Sequence, residues 1–462
     1  MKIRLHKQPN LSWVLVYTIL CAMPANAQKN FTLTDCINYA FAHNPLLSVA
    51  AKDTSIAGIN TQRVKGLFLP RANFASAFQY YIATRKMLVE GGSALAPPSL
   101  PDGEPKALPV GYNNTWYPTF NVTQLIFDPS YRSNYNIALH NEQLQNQQVA
   151  SFKIDLVTGI FKAFNTCKLL DLQALFLEKN IARIDTLIDL TRIKFSKGAG
   201  VKIEVNRVEV TGNRMRSELA NVRGSYNEAL VALQFQMNYL EQDSMVLSSS
   251  MTIPQIVSGA DTLLQQLTHG TASARIESKL LQTQIAMADE SIRLEQSRSR
   301  PVIAADGALG FAPAANQINK MFQGERWKPY SYVGVNVAVP LFNGLDVKRA
   351  TVQRKIQAQQ SRDYLDQFNI QFETEKTGTY VQIQRSMERF RYADANLKLA
   401  NNNIELLHEA FINGVADNQD LILGENDLYD NQARYFNELL QLMLNGVDGQ
   451  RVIGSFNALA GI

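Results

Sequence analysis

The sequence is short of the residues that carry most catalytic and metal chemistry. Its five histidines, His6, His43, His140, His269 and His408, are scattered, and no H-E-x-x-H pair, phosphate-loop glycine signature or G-x-S-x-G elbow occurs. An enzyme is not expected, nor is a cofactor or a bound metal. Cys21, Cys36 and Cys167 are too few and too far apart for a disulfide scaffold or a zinc knuckle, so the core must be made by packing. Beyond the N-terminus there is no run of 18 apolar residues, which excludes a bundle of transmembrane helices. It does not exclude a membrane β-barrel, whose strands alternate and escape hydropathy windows. Excess charge is also missing: the formal charge of +4 includes Lys2, Arg4 and Lys7, which lie in a segment expected to be removed. A nucleic-acid partner held by bulk charge is not expected.

That N-terminal segment has a basic stretch from Lys2 to Lys7, an apolar run from Leu11 to Met23 and the small residues Ala25-Asn26-Ala27. The pattern predicts a signal peptide over 1–27 and a mature, exported chain from Gln28. Export leaves Cys36 and Cys167, which lie about 34 residues before Pro70 and about 38 after Pro129. Straight helices would carry both about 50 to 57 Å from those prolines, so either a disulfide or two buried free thiols is open.

Prolines divide the chain. Eight of the sixteen fall between Pro70 and Pro129 and four between Pro301 and Pro340, while none occurs from Ser130 to Ile253 or after Pro340. Two proline-free spans of similar length each follow a proline-marked region, which predicts a duplication. Placing Phe127 on Phe342 also places Asn121 on Asn336 and Val122 on Val337, and one residue of slack brings Phe195 and Gly198 onto Phe411 and Gly414. The first repeat is read over 28–242, with strands at about 70–82 and 115–127. A linker follows over 243–260, then a second repeat over 261–462 with strands at about 301–312 and 330–342. Each repeat reads as helix, strand, loop, strand and long helical hairpin.

The strands alternate with period 2. Val333, Val335 and Val337 share one face against Gly334 and Asn336; Trp116, Phe120, Val122 and Ile126 alternate with Thr115, Thr119, Asn121 and Thr123; Ile303, Ala305, Leu309 and Phe311 oppose Asp306 and Gly310. Such strands suit lipid on one side and water on the other. Four strands cannot enclose water, and open edges in lipid would leave backbone groups unpaired, so copies of the chain must share a barrel: eight strands in a dimer, twelve in a trimer. The loop Thr84 to Asn114, with five prolines and four glycines, reads as a disordered exterior insertion, and Arg326, Trp327 and Lys328 suit the lipid headgroup level. From about 131 to 197 and 345 to 413 nothing breaks the helical pattern, giving helices of about 100 Å. Leu397, Ala400, Ile404, Leu407 and Phe411, and Tyr429, Ala433, Phe436, Leu440, Met443 and Val447, step by threes and fours as a coiled-coil seam does.

With these elements in order, the sequence resembles the TolC-type outer-membrane efflux channel family of Gram-negative bacteria over essentially the whole mature chain. Leu33 to Pro45, ending in Asn44-Pro45, is similar to the family's first-helix pattern, and Pro340-Leu341-Phe342-Asn343-Gly344 to its exit from the last strand into the long helix. The resemblance implies a mainly α fold with a membrane β-barrel portion: a homotrimer whose shared 12-stranded barrel continues into an α-helical periplasmic tunnel. It implies an outer-membrane channel of a tripartite efflux or secretion system that conducts small molecules or polypeptides passively. Its partners would be a periplasmic adaptor (membrane fusion) protein, an inner-membrane transporter of RND or ABC type, and outer-membrane lipid. A periplasmic coiled-coil scaffold without channel activity is the alternative, which leaves the alternating strands unexplained.

The resemblance also assigns residues. Asp420, six after the turn glycine Gly414, matches one of the family's aperture acids; the next, three residues on, falls on Leu423 here. Glu204 is the first-repeat counterpart of Asp420. Three carboxylates converging on an axis would repel anions, attract cations and raise one another's pKa. Gly198, Ala199, Gly200, Gly414, Val415 and Ala416 match the hairpin tips that meet the adaptor. Pro340 and Gly344 mark the strand-to-helix exit.

Overall fold

The computed structural model describes residues 29–239, 245–248 and 252–461. The expected signal peptide and the boundary at 242/243 lie outside these residues. The chain is mainly helical, as expected, and divides into two compact units.

One unit comprises 53–145 and 281–364. Its centre is an antiparallel sheet in the order β2 (Arg71–Tyr80), β5 (Asn114–Phe127), β7 (Val302–Phe311), β9 (Pro329–Ala338), with the two-residue β8 (Ala314–Ala315) beside β5. The register places Phe74 opposite Phe120, Phe120 opposite Leu309, and Gly307 opposite Val333 and Val122. Side chains directly opposite share a face. One face is therefore apolar, with Phe74, Phe120, Val122, Leu309, Val333 and Val335, while the other carries Asn73, Asn121, Thr123, Asp306 and Asn336. Every residue of β2 is exposed, and Val333 is 91% exposed on β9, so nothing among the described residues covers the apolar face. Among the described residues, β2 and β9 have no partner along their outer edges.

Two details differ from the sequence reading. A bulge between Leu125 and Phe127 puts Phe127, not Ile126, opposite Ile303, because one extra residue moves all later side chains to the other face. The expected disordered insertion at 84–114 contains a β-hairpin instead, β3 (Arg85–Glu90) paired with β4 (Pro105–Val110). Both β4 prolines are tolerated because the strand needs only one partner. The tip is closed by Gly91 N donating to Glu104 O (3.0 Å) and Gly103 N to Gly91 O (3.1 Å). A Cβ on Gly91 would lie 1.7 Å from the Pro101 carbonyl oxygen, so only glycine fits. Farther along, the Trp327 indole donates to Met321 O (3.1 Å) and packs edge-on against Trp116, with centroids 5.1 Å apart.

The other unit comprises the described chain up to Lys52, 146–280 and 365–461. It contains a parallel pair, β1 (Lys29–Phe31) with β6 (Met245–Leu247), and the helices α1 (Leu33–His43), α4 (Lys202–Met237), α5 (Ile253–His269), α8 (Asn418–Val452) and α9 (Asn457–Ala460). The division falls within α2 (Pro45–Lys65), α3 (Tyr131–Ser196), α6 (Ile276–Ser297) and α7 (Asp346–Ile412). α3 and α7 have 66 and 67 residues, about 100 Å each at 1.5 Å per residue. α1 begins with a capping box in which Thr32 Oγ1 accepts from Asp35 N (3.2 Å) and Thr32 N donates to Asp35 Oδ2 (2.9 Å). β6 and the start of α5 occupy part of the stretch read as an inter-repeat linker.

Two hydrophobic clusters fill this unit. One joins α3, α4, α5, α7 and α8 and includes Leu397, Ala400, Ile404 and Phe411 of the expected α7 seam. On α8 the deepest stripe differs from the expected one: Leu421, Glu425, Leu428, Gln432, Tyr435, Leu439 and Leu442, stepping by fours and threes, are all buried. Two polar members disguised it. The second cluster contains Cys36 and Cys167, both free and fully buried. Burial pushes the Cys36 thiol up to about 12 and Cys167 up to about 11.

Candidate functional site

Both hairpin turns are built the same way. α3 ends with Gly198 N donating to Phe195 O (3.0 Å) and Ala199 N to Lys194 O (3.0 Å); α7 ends with Gly414 N donating to Phe411 O (3.1 Å) and Val415 N to Ala410 O (2.8 Å). These paired bonds make a Schellman motif, whose left-handed residue is glycine in each case, at φ +75° for Gly198 and +72° for Gly414. Ala199 and Gly200 follow the first glycine, Val415 and Ala416 the second, and Val415 is 82% exposed.

Three residues into the next helix on each side stands an acid. Asp420 completes a capping box at the start of α8: Asp417 Oδ1 accepts from Asp420 N (2.9 Å), and Asp417 N donates to Asp420 Oδ2 (3.0 Å). Glu204 holds the same position in α4, but there the N-cap is Val201, which offers no side-chain acceptor. The Glu204 carboxylate instead accepts from Asn418 Nδ2 of the other hairpin (3.0 Å). Helix N-termini favour both acids electrostatically. One secures its own helix; the other ties the two turns together.

Asp420 lines a groove of about 820 Å³ between α7 and α8, with Leu423, Gly424, Asp427 and Asn431 on one wall and Asn396, Asn403 and Leu406 on the other. Leu423, at the position of the family's second acid, is 55% exposed. Asp427 is a second carboxylate in this groove. Its i+7 spacing from Asp420 puts both on one helix face. Glu425 points the other way, into the core. Its carboxylate is 1% exposed and receives Arg183 Nε at 3.1 Å and Nη2 at 3.2 Å, with His408 Nε2 3.5 Å away. Arg183 also donates to Asn180 Oδ1 (2.6 Å), and Asn180 donates to Gln432. The two polar interruptions of the α8 seam are thus matched by two polar residues one turn apart on α3.

Further ties run between the hairpins. Arg207 donates to Gln419 Oε1 (3.3 Å), and Lys194 Nζ lies 3.8 Å from the Phe411 ring centroid. At the exit from the last strand, Pro340 lies just beyond β9 and Gly344 just before α7, at φ +62°. No helix among the described residues is long and apolar enough to cross a membrane.

The model of the outer membrane efflux protein family matches residues 37–238. No curated protein sequence matches the chain. Solved structures match far more of it. VceC, an outer membrane protein of Vibrio cholerae, aligns over 91% of this chain and 96% of its own, with 14% identity and a TM-score of 0.65. The CmeC outer membrane channel of Campylobacter jejuni aligns over 91% and 85%, with 14% identity and a TM-score of 0.67. The open state of the MtrE outer membrane channel of Neisseria gonorrhoeae aligns over 91% and 88%, with 13% identity and a TM-score of 0.66. At such identities the likeness is one of fold, and the fold is that of outer-membrane channels. The chain resembles the outer membrane efflux proteins in sequence over 37–238, and the same fold continues through its second half.

Proposed function

We propose that this protein is an outer-membrane channel of a tripartite efflux or secretion system, conducting small molecules or polypeptides passively from a periplasmic pump to the exterior of a Gram-negative cell. The observation that carries the reading is the sheet: four strands, one apolar face uncovered, and two unpaired edges, β2 and β9. Such a sheet is stable in lipid only when β9 of one copy pairs with β2 of the next until the ring closes. Three copies give twelve strands, and the polar face then surrounds water. Trp116 and Trp327, packed edge-on at one end of the sheet, suit the aromatic girdle at a membrane interface.

Most of the chain would be periplasmic, and duplicated: 28–242 and 261–462, joined by 243–260. The turn segments, Gly198, Ala199 and Gly200 with Gly414, Val415 and Ala416, offer small side chains to a periplasmic adaptor. Energy would come from an inner-membrane transporter of RND or ABC type, and the chain would do no chemistry of its own. The free edge of the Asp420 carboxylate and Asp427 face the groove, where three copies would set acids round the aperture; Glu204 supports them through Asn418. Pro340 and Gly344 redirect the chain from barrel strand to tunnel helix.

Planar-bilayer recording of the detergent-extracted protein tests the reading. Discrete, long-lived, low-conductance openings are expected, and Asp420→Ala should increase resting conductance. Unchanged conductance in that variant would remove Asp420 from the aperture, and recovery of the protein from the soluble periplasmic fraction would contradict the barrel.

A further inference from the structure

The four strands of the sheet contain two charged residues, Arg71 and Asp306. Both fall in one row. Arg71 stands opposite Thr123, Thr123 opposite Asp306, and Asp306 opposite Gly334. Side chains in such a row project from the same face. It is the polar face, with Asn73, Asn121 and Asn336 in the adjoining rows and Phe74, Phe120, Val122, Val333 and Val335 on the reverse. Two strand spacings separate the charges, about 10 Å, which is too far for a direct ion pair. The Asp306 carboxylate also leans away from Arg71: a Cβ on Gly334 would lie 3.6 Å from Asp306 Oδ1, and glycine leaves that space open.

We propose that Arg71 and Asp306 form a balanced charge belt on the inner wall of the barrel, each residue offsetting the bias of the other on ion permeation. The belt rests on the channel reading above. In a shared barrel three arginines and three aspartates alternate round the wall, and Arg71, the first residue of β2, puts the belt near the end of the sheet where the helical segments enter. Charge here costs little, because the wall faces water, whereas the lipid face admits none. An isolated unit charge acting through about 10 Å of water has an energy close to thermal, enough to change a cation-to-anion permeability ratio about twofold.

Reversal potentials of the full-length mature protein in a planar bilayer, under a tenfold KCl gradient, test the belt. Asp306→Asn should shift the permeability ratio about twofold toward anions, and Arg71→Gln by a similar factor toward cations, following the same Coulomb estimate. The double variant should return close to the unsubstituted ratio, which a loss of structure would not do. Channels indifferent to both substitutions, or shifted the same way by both, would overturn the belt. If Asp306→Asn gives no channels, Asp306→Cys labelled in the bilayer supplies the same reading. An anionic thiol reagent should restore the original ratio and a cationic one drive it further toward anions; no response to either would overturn the belt. Cys36 and Cys167 are fully buried and do not compete for the label. A failure of the unsubstituted protein to conduct would overturn the channel reading and the belt together.

Discussion

The two helical hairpins share their turn geometry and differ in how their arms are joined. In the first, α3 and α4 are zipped by Glu178 with Arg223 (2.6 Å), Asp185 with Arg216, and Arg192 with Glu209 (2.7 Å). The partners advance by seven on one helix as they retreat by seven on the other, the flanking-charge pattern of an antiparallel coiled coil. In the second hairpin, among the described residues, the arms are joined by one arginine–carboxylate pair, Arg389 with Glu438 (3.2 Å), besides His408 near Glu425. Toward its turn lie asparagines, exposed leucines and the open groove at Asp420. Its firmest polar attachment is to the other hairpin, through Arg183 and Glu425. A self-sufficient hairpin thus stands beside one held by its neighbour, and the second is the part suited to move.

The largest expected effect lies in that attachment. Arg183→Ala strands the buried Glu425 carboxylate and should destabilise the fold by about 3 kcal/mol, measured by urea unfolding followed by helical circular dichroism. A loss below about 1 kcal/mol would show that His408, 3.5 Å away, or water compensates the carboxylate. Next come the caps. Asp417→Ala should cost about 1 kcal/mol, and Val201→Asp should recover a similar amount by giving α4 the cap it lacks. Equal effects of Ala at 417 and 201 would erase the difference between the turns.

A smaller, pH-dependent effect belongs to Glu277. Burial opposes its ionisation, but the hydrogen bonds and charge of Arg275 outweigh burial and hold its carboxyl below the usual range. Its folded pKa is depressed, so its stabilisation is present above the unfolded value of about 4.3 and is lost as pH falls through the folded one. Glu277→Gln should therefore flatten the acid limb of the stability profile; an unaltered limb would contradict this. Smallest is the zipper: Glu178→Gln should cost less than about 1 kcal/mol, because both partners are exposed. A larger loss would mean that the charges act as a network.

Much of this was legible in the sequence, for identifiable reasons. Proline placement and period-2 alternation mark strands directly, and the turn glycines announce their positive φ. Asp-x-x-Asp at 417–420 was also a readable capping signal, overshadowed by the aperture register. Glu425 and Gln432 were hidden because their burial depends on Asn180 and Arg183, more than two hundred residues away, and a polar residue in a seam looks like a break in it. The β3–β4 hairpin was hidden by its own prolines, which ordinarily argue against strands and are accommodated here because β4 has a single neighbour. No local pattern distinguishes Ile126 from Phe127, since the bulge between them is set by the opposing strand. The charge row needed the register as well, since Arg71 and Asp306 are 235 positions apart and only strand pairing aligns them.

The central claim is that the sheet closes only with other copies of the chain. Native mass spectrometry of the detergent-extracted protein measures this most directly. Three copies that survive in mild detergent and separate when the sheet is unfolded are expected. A folded, monodisperse single copy that keeps its strands would contradict the account.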